Sequence, residues 1–208
     1  MELEDYRWSA LARYHDAALE SAVVLFALAR RRTHSHFDVG FAEITGVRSH
    51  IRTMTEMHTF CINARKSIEI ADIISPGIVE RARQVFPHQP GTIAKDLIRG
   101  NYTLTRSSFW WIISRIIHSV HVVVYDESEV IGTTRTKIYS ESRDRYFGFS
   151  SNQDRPIGRP GSYVISTAHT HFVGIEELVR CYVGALSHRI DEAVKLLRPT
   201  LNARRASP

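Results

Sequence analysis

Residues 105–124 read Thr105-Arg106-Ser107-Ser108-Phe109-Trp110-Trp111-Ile112-Ile113-Ser114-Arg115-Ile116-Ile117-His118-Ser119-Val120-His121-Val122-Val123-Val124. At about 100° per residue, Phe109, Trp110, Ile112, Ile113, Ile116, Ile117, Val120 and Val123 fall on one broad arc. Ser107, Ser108, Trp111, Ser114, Arg115, His118, Ser119 and His121 fall on the other. The spacing predicts a helix over about Thr105–Val124. One side is core, and the other carries small hydroxyls, two imidazoles, a guanidinium and an indole.

The same period recurs on either side of this segment. Leu11, His15, Ala18, Ala22, Leu25 and Ala29 return at steps of three and four and predict a helix from about Glu4 to Arg32. Its closing Arg30-Arg31-Arg32 complements the dipole of a helix C-terminus. A longer helix is predicted from about Val39 to Ile74, with Ile44, Val47, Ile51, Met54, Met57, Cys61, Ala64, Ile68 and Ala71 on its seam. Ser75-Pro76-Gly77 stops it and starts a short helix that ends before Pro87. Pro87-His88-Gln89-Pro90-Gly91 is a loop, and Thr92–Arg99 is read as a further turn of helix closed by Gly100.

Between Asp126 and Ser166 the period changes. Short β-like runs stand at 137–140, 146–149 and 163–165, with a Pro- and Gly-rich loop at 153–161. The final helix, predicted from about Thr170 to Arg198, has the seam Ile175, Val179, Tyr182, Leu186, Ile190, Ala193 and Leu197. The expected fold is therefore mainly α: four long helices in an antiparallel bundle, with a small β-hairpin insertion (126–166) before the last helix. Residues 1–201 are read as one domain and 202–208 as a flexible basic tail.

Hydrophobic residues make up 43% and charged residues 24%, which is globular rather than disordered composition. The opening Met1-Glu2-Leu3-Glu4-Asp5 has no basic and apolar leader pattern, and the longest purely apolar stretch, Ala22–Ala29, is far short of the ~20 residues that cross a bilayer. A cytoplasmic protein without a membrane span is expected. Cys61 and Cys181 lie inside helical apolar patterns and read as reduced core thiols. The net charge of +5 is compatible with an anionic partner such as nucleic acid.

Four amphipathic helices with an Arg- and His-bearing face on the third resemble the HEPN superfamily. Arg115 and His121, with five residues between them, meet the Arg–His spacing of that family. In a second register, Ser114-Arg115-Ile116-Ile117-His118 is similar to an Asn-Lys-Ile-Ile-His variant of uncharacterised bacterial relatives. There Ser114 stands in place of Asn, and Ile113 in place of the Arg before it. Asn63-Ala64-Arg65-Lys66 on the second helix also looks like these relatives. The resemblance implies an RNA-binding homodimer, in many members a metal-independent endoribonuclease of a toxin–antitoxin or defence system, with a cognate antitoxin or other partner protein. It implies no cofactor.

On that reading His118 or His121 serves as acid/base and Arg115 holds phosphate, while Ser114, Trp111 and Arg65 contact the substrate. The chemistry is sound, because RNA supplies its own 2′-hydroxyl nucleophile, an imidazole with a pKa near ~6.5 moves protons at neutral pH, and a guanidinium neutralises developing charge. Trp111 can stack on an unpaired base or pack against a second subunit, and the subunit contact is the expectation here. Two other readings stand beside this one. The polar face can meet a protein partner in a non-catalytic helical interaction module. Alternatively, His34-Ser35-His36 and His169-Thr170-His171 can combine to hold a metal, although neither pair has a Cys or carboxylate at motif spacing. His58, beside the second seam, reads as a satisfied core histidine.

Overall fold

In the computed structural model, which describes residues 3–30, 39–84, 91–96, 102–125, 145–151 and 169–205, the first helical seam is buried without exception. Leu11, His15, Ala18, Ala22, Leu25 and Ala29 all face inward from α1 (Leu3–Ala29). The β-like runs at 137–140 and 163–165, the loop at 153–161 and the His34/His36 pair lie outside the described residues.

On α2 (Val39–Ile74) the C-terminal half of the predicted seam holds: Met57, Cys61, Ala64, Ile68 and Ala71 are fully buried. The N-terminal half does not. Val47 and Ile51 are 54% exposed, and the inward positions there belong to Ser49 and Thr53. Ser49 there meets Arg145, a buried guanidinium whose Nη1 donates to Ser49 Oγ at 3.1 Å, while Thr53 Oγ1 donates to the Ser49 carbonyl at 2.8 Å. A charge taken out of water needs oxygen acceptors, and Ser49 supplies one from the inward side of the helix.

Asp72 Oδ1 accepts from the backbone N–H groups of Gly77 and Val79, which sets the start of the short α3 (Ile78–Arg83). Next comes a correction: residues read as a helical turn at 92–99 form β1 (Gly91–Asp96), which pairs on one side with β2 (Tyr102–Arg106) and on the other with β5 (His169–Gly174). A second correction falls on residues 105–124. The helix there, α4, covers only Phe109–Ile117, because Ser108 caps it by accepting from the Trp111 N–H at 3.2 Å. Beyond it, Ser119–Tyr125 is β3, a β-branched run that pairs with β4 (Tyr146–Ser151). The last helix, α5, starts at Ile175 rather than Thr170. It runs as α-helix Ile175–Tyr182, a π-helical turn Val183–Ser187 and α-helix His188–Arg205, which carries it into the stretch read as a tail.

The fold is mainly helical, with the antiparallel β3–β4 pair before the last helix. That pair is one edge of a larger structure, a five-stranded antiparallel sheet in the order β2-β1-β5-β4-β3. Chain neighbours β2 and β3 occupy opposite edges. The segment between them must cross the sheet, a width of roughly 19 Å at the usual strand spacing, and the nine-residue α4 covers ~14 Å of it. α4 accordingly packs against α2, α3 and α5 as well as β3 and β4, and Phe109, Ile112, Ile113 and Ile116 are completely buried there. Among the described residues, no helix is long and apolar enough to cross a membrane.

The centre of the helical layer is aromatic and polar at once. Phe60 stands edge-on to Tyr182 at 5.5 Å, and Phe109 stacks on the same ring at 5.8 Å. The Tyr182 hydroxyl lies 2.9 Å from His15 Nδ1 and 3.0 Å from Ser67 Oγ, so one phenol ties α1, α2 and α5 together. Cys61 and Cys181 are buried free thiols, and burial pushes both upward from the ordinary thiol range, Cys181 to about 12.

Candidate functional site

Four positions apart on α4, Trp111 and Arg115 are neighbours on the helix surface, and the Arg115 guanidinium lies over the Trp111 ring at 5.3 Å. The ring's other contacts come from the sheet. His171 meets it edge-on at 5.2 Å and 84°, and Phe149 sits 6.4 Å away. Phe149 and His171 are cross-strand partners of β4 and β5 with rings 5.6 Å apart, so the antiparallel register delivers both to Trp111. The result is a column: guanidinium, indole, imidazole, phenyl. Arg115, Trp111 and His171 are each half-buried, and the column therefore keeps an open side.

The other expected site residues are distributed around this column. Ser114 presents an Oγ that is buried and has no hydrogen-bond partner among the described residues. His118 is the exposed C-cap of α4, its N–H donating to the Ser114 carbonyl at 3.3 Å. His121 belongs to β3 and pairs with Ser150, so the helical row from Arg115 through His118 to His121 is broken after His118. Arg65 is on a different flank of α4: its guanidinium lies 5.2 Å from the ring centroid of Trp110, and its Nε donates to Glu69 Oε1 at 2.9 Å. Trp111, expected to pack on a second subunit, makes its contacts with the sheet of its own chain and stays partly exposed.

His171 is the residue the sequence did not connect to Arg115. It was legible only as half of a His-x-His pair, and the strand that carries it joins β4 across a long stretch of chain. Its ring is engaged with Trp111 and Phe149, and among the described residues no three His, Cys, Asp or Glu side chains are grouped to hold a metal. His58 is a core histidine, Nδ1–H donating to the Met54 carbonyl at 3.1 Å with the ring edge-on to Phe147.

A second polar centre also escaped the sequence reading. His15 Nε2 is 3.2 Å from Asp191 Oδ1, which continues the Ser67–Tyr182–His15 chain outward to a half-exposed carboxylate. Burial lowers the His15 pKa, against the opposing pull of Asp191 and Asp16, and raises that of Tyr182. Ser67, Tyr182 and His15 are buried in the helical layer, and the chain of groups meets the surface at Asp191.

Chemically, the α4 column offers a fixed cation, a π surface and an imidazole in one place. A guanidinium held by its face against an indole is a cation whose plane is oriented by the ring. The chain matches no protein-family model, no curated protein and no solved structure.

Proposed function

We propose that this protein binds RNA in the manner of a HEPN-like domain, with Arg115 on phosphate and Trp111 against a base. The observation that carries the reading is the Arg115–Trp111–His171 column, a half-buried cation–π–imidazole array. Aromatic faces stack on unpaired bases whatever their sequence, and an adjacent guanidinium takes the backbone charge. Its extension to metal-independent cleavage in a toxin or defence setting rests on the resemblance described above. In that case His118, His121 or His171 supplies the acid/base, and a homodimer or a partner protein completes or restrains the site.

Fluorescence anisotropy with a labelled single-stranded RNA tests the binding, and gel analysis of the same RNA in EDTA tests cleavage. Arg115→Ala is expected to weaken binding about tenfold, the usual worth of one charge-assisted contact. Chelator-insensitive cleavage lost in one of His118→Ala, His121→Ala or His171→Ala identifies the acid/base. Absence of RNA binding by the wild-type protein at low salt overturns the reading.

One observation favours an interaction module instead. Ile51, Ile62 and Ile73 are exposed at intervals of eleven residues, which is three helical turns, and Val47 stands one turn before them. They form an apolar row along the outside of α2. An Ile62→Glu variant that abolishes self-association in light scattering, together with no RNA binding, supports that second reading.

A further inference from the structure

On the other flank of α4, Trp110 carries two guanidiniums: Arg65 from α2 at 5.2 Å and Arg83 from the end of α3 at 5.7 Å from the ring centroid. We infer that Arg65, Arg83 and Trp110 form a phosphate-binding site, separate from the Arg115 column and reached from the same helix. Two positive charges are gathered on one indole, and an anion beside that ring is attracted by both. Glu69 does not fill that role. It accepts from Arg65 Nε at 2.9 Å and from Lys66 Nζ at 3.1 Å, which fixes Arg65 and divides the carboxylate between two cations. Those bonds lower the Glu69 pKa against the opposing effect of its burial and keep the carboxylate ionised.

Asp72, the next carboxylate on α2, is spent on the backbone N–H groups of Gly77 and Val79. Arg83 is exposed and has no carboxylate within ion-pair distance among the described residues. A basic residue in the last turn of α3 also suits the helix dipole, but the dipole does not require the guanidinium to lie beside an indole. Stacking leaves the Arg83 fork and the terminal amino groups of Arg65, whose Nε is held by Glu69, for a planar or tetrahedral oxyanion, and phosphate is the oxyanion whose geometry arginine matches in two-point fashion. Trp110 and Trp111 are consecutive on one helix, so a strand held by Arg115 can continue over α4 to this second site. Assignment of the phosphate to an RNA backbone rests on the RNA-binding reading, whereas the phosphate chemistry itself does not.

The test measures binding of a twelve-nucleotide single-stranded RNA across a salt series for wild type, Arg83→Ala and Arg115→Ala. In parallel, calorimetry follows inorganic pyrophosphate binding to wild type and Arg83→Ala. Arg83 is exposed, so its truncation leaves the core intact, and Arg83→Lys serves as a check that keeps the charge. The expected result is a several-fold loss of RNA affinity in Arg83→Ala and a log–log salt slope shallower by about 0.7, the share of one phosphate contact on a single strand. A merely structural role does not move that slope. RNA binding that depends on Arg115 but has the same affinity and slope in Arg83→Ala overturns the second site and leaves the RNA-binding reading standing. If RNA fails to bind at all while pyrophosphate binds and is lost in Arg83→Ala, the site stands with free phosphate compounds as its ligands. No binding of either probe removes it.

Discussion

His15 Nδ1 lies 2.9 Å from the hydroxyl oxygen of Tyr182, across the interface of the first and last helices. Burial keeps the imidazole neutral, and the Asp191 carboxylate beside Nε2 draws its one proton there. Tyr182 O–H then donates to Nδ1, and the phenol oxygen faces Ser67, whose Oγ also reaches the Ala64 carbonyl. Removing the hydroxyl leaves the buried His15 Nδ1 without its donor, while Ser67 keeps the Ala64 carbonyl. Tyr182→Phe is expected to cost ~2–3 kcal/mol, read as a lower urea midpoint at unchanged slope. A wild-type midpoint would show that the hydroxyl contributes nothing.

The same histidine gives a sign to the pH dependence. Desolvation places its pKa below that of the unfolded chain, so near neutrality and above both states leave it uncharged and its effect on stability is nil. As pH falls through the unfolded value near ~6.5, the unfolded state takes the proton first and stability declines, levelling off once the folded pKa is passed. Thermal midpoints measured from pH 8 to pH 5 should fall in the wild type and fall less in His15→Gln. Equal slopes in the two proteins would remove His15 as the cause.

Glycines separate two kinds of backbone demand. A Cβ added at Gly46, inside α2, meets no atom within 4 Å, and Gly46→Ala should therefore stabilise by ~0.5–1 kcal/mol through lost freedom of the unfolded chain. Gly77 sits at φ 102°, before α3, where a side chain is strained even in open space. Gly77→Ala should destabilise by ~1–2 kcal/mol. Chemical denaturation of the pair checks both signs, and a stabilised Gly77→Ala contradicts the left-handed turn.

Arg115 offers a finer test of the column than truncation alone. Arg115→Lys keeps the charge but loses the flat guanidinium that lies over Trp111 at 5.3 Å. RNA affinity in the lysine variant should fall about two- to fivefold, between the wild type and the roughly tenfold loss in Arg115→Ala. Anisotropy at fixed salt reads the order. A lysine variant equal to wild type means that charge alone is used and the stack is incidental.

Local periodicity was sufficient for everything that one helix settles by itself. The seams of α1 and α5 could be read residue by residue from Leu11 to Ala29 and from Ile175 to Ala193, and all of those positions are buried. In α4 the same reading found Phe109, Ile112, Ile113 and Ile116. It carried on through Val120 to Val124 because a run rich in β-branched apolar residues fits an arc of a helix as well as a strand, and a strand differs only in having partners. Those partners are supplied by β4 and, through it, β5, which are remote in sequence and joined by backbone hydrogen bonds that leave no periodic trace. The column has the same origin. Arg115 and Trp111 are four residues apart and could be paired from the sequence, whereas His171 reaches them only because an antiparallel register sets it beside Phe149. Val47 and Ile51 were lost at the end of α2 where Ser49 faces inward to a buried Arg145 far along the chain, a contact that no hydrophobic pattern within α2 records.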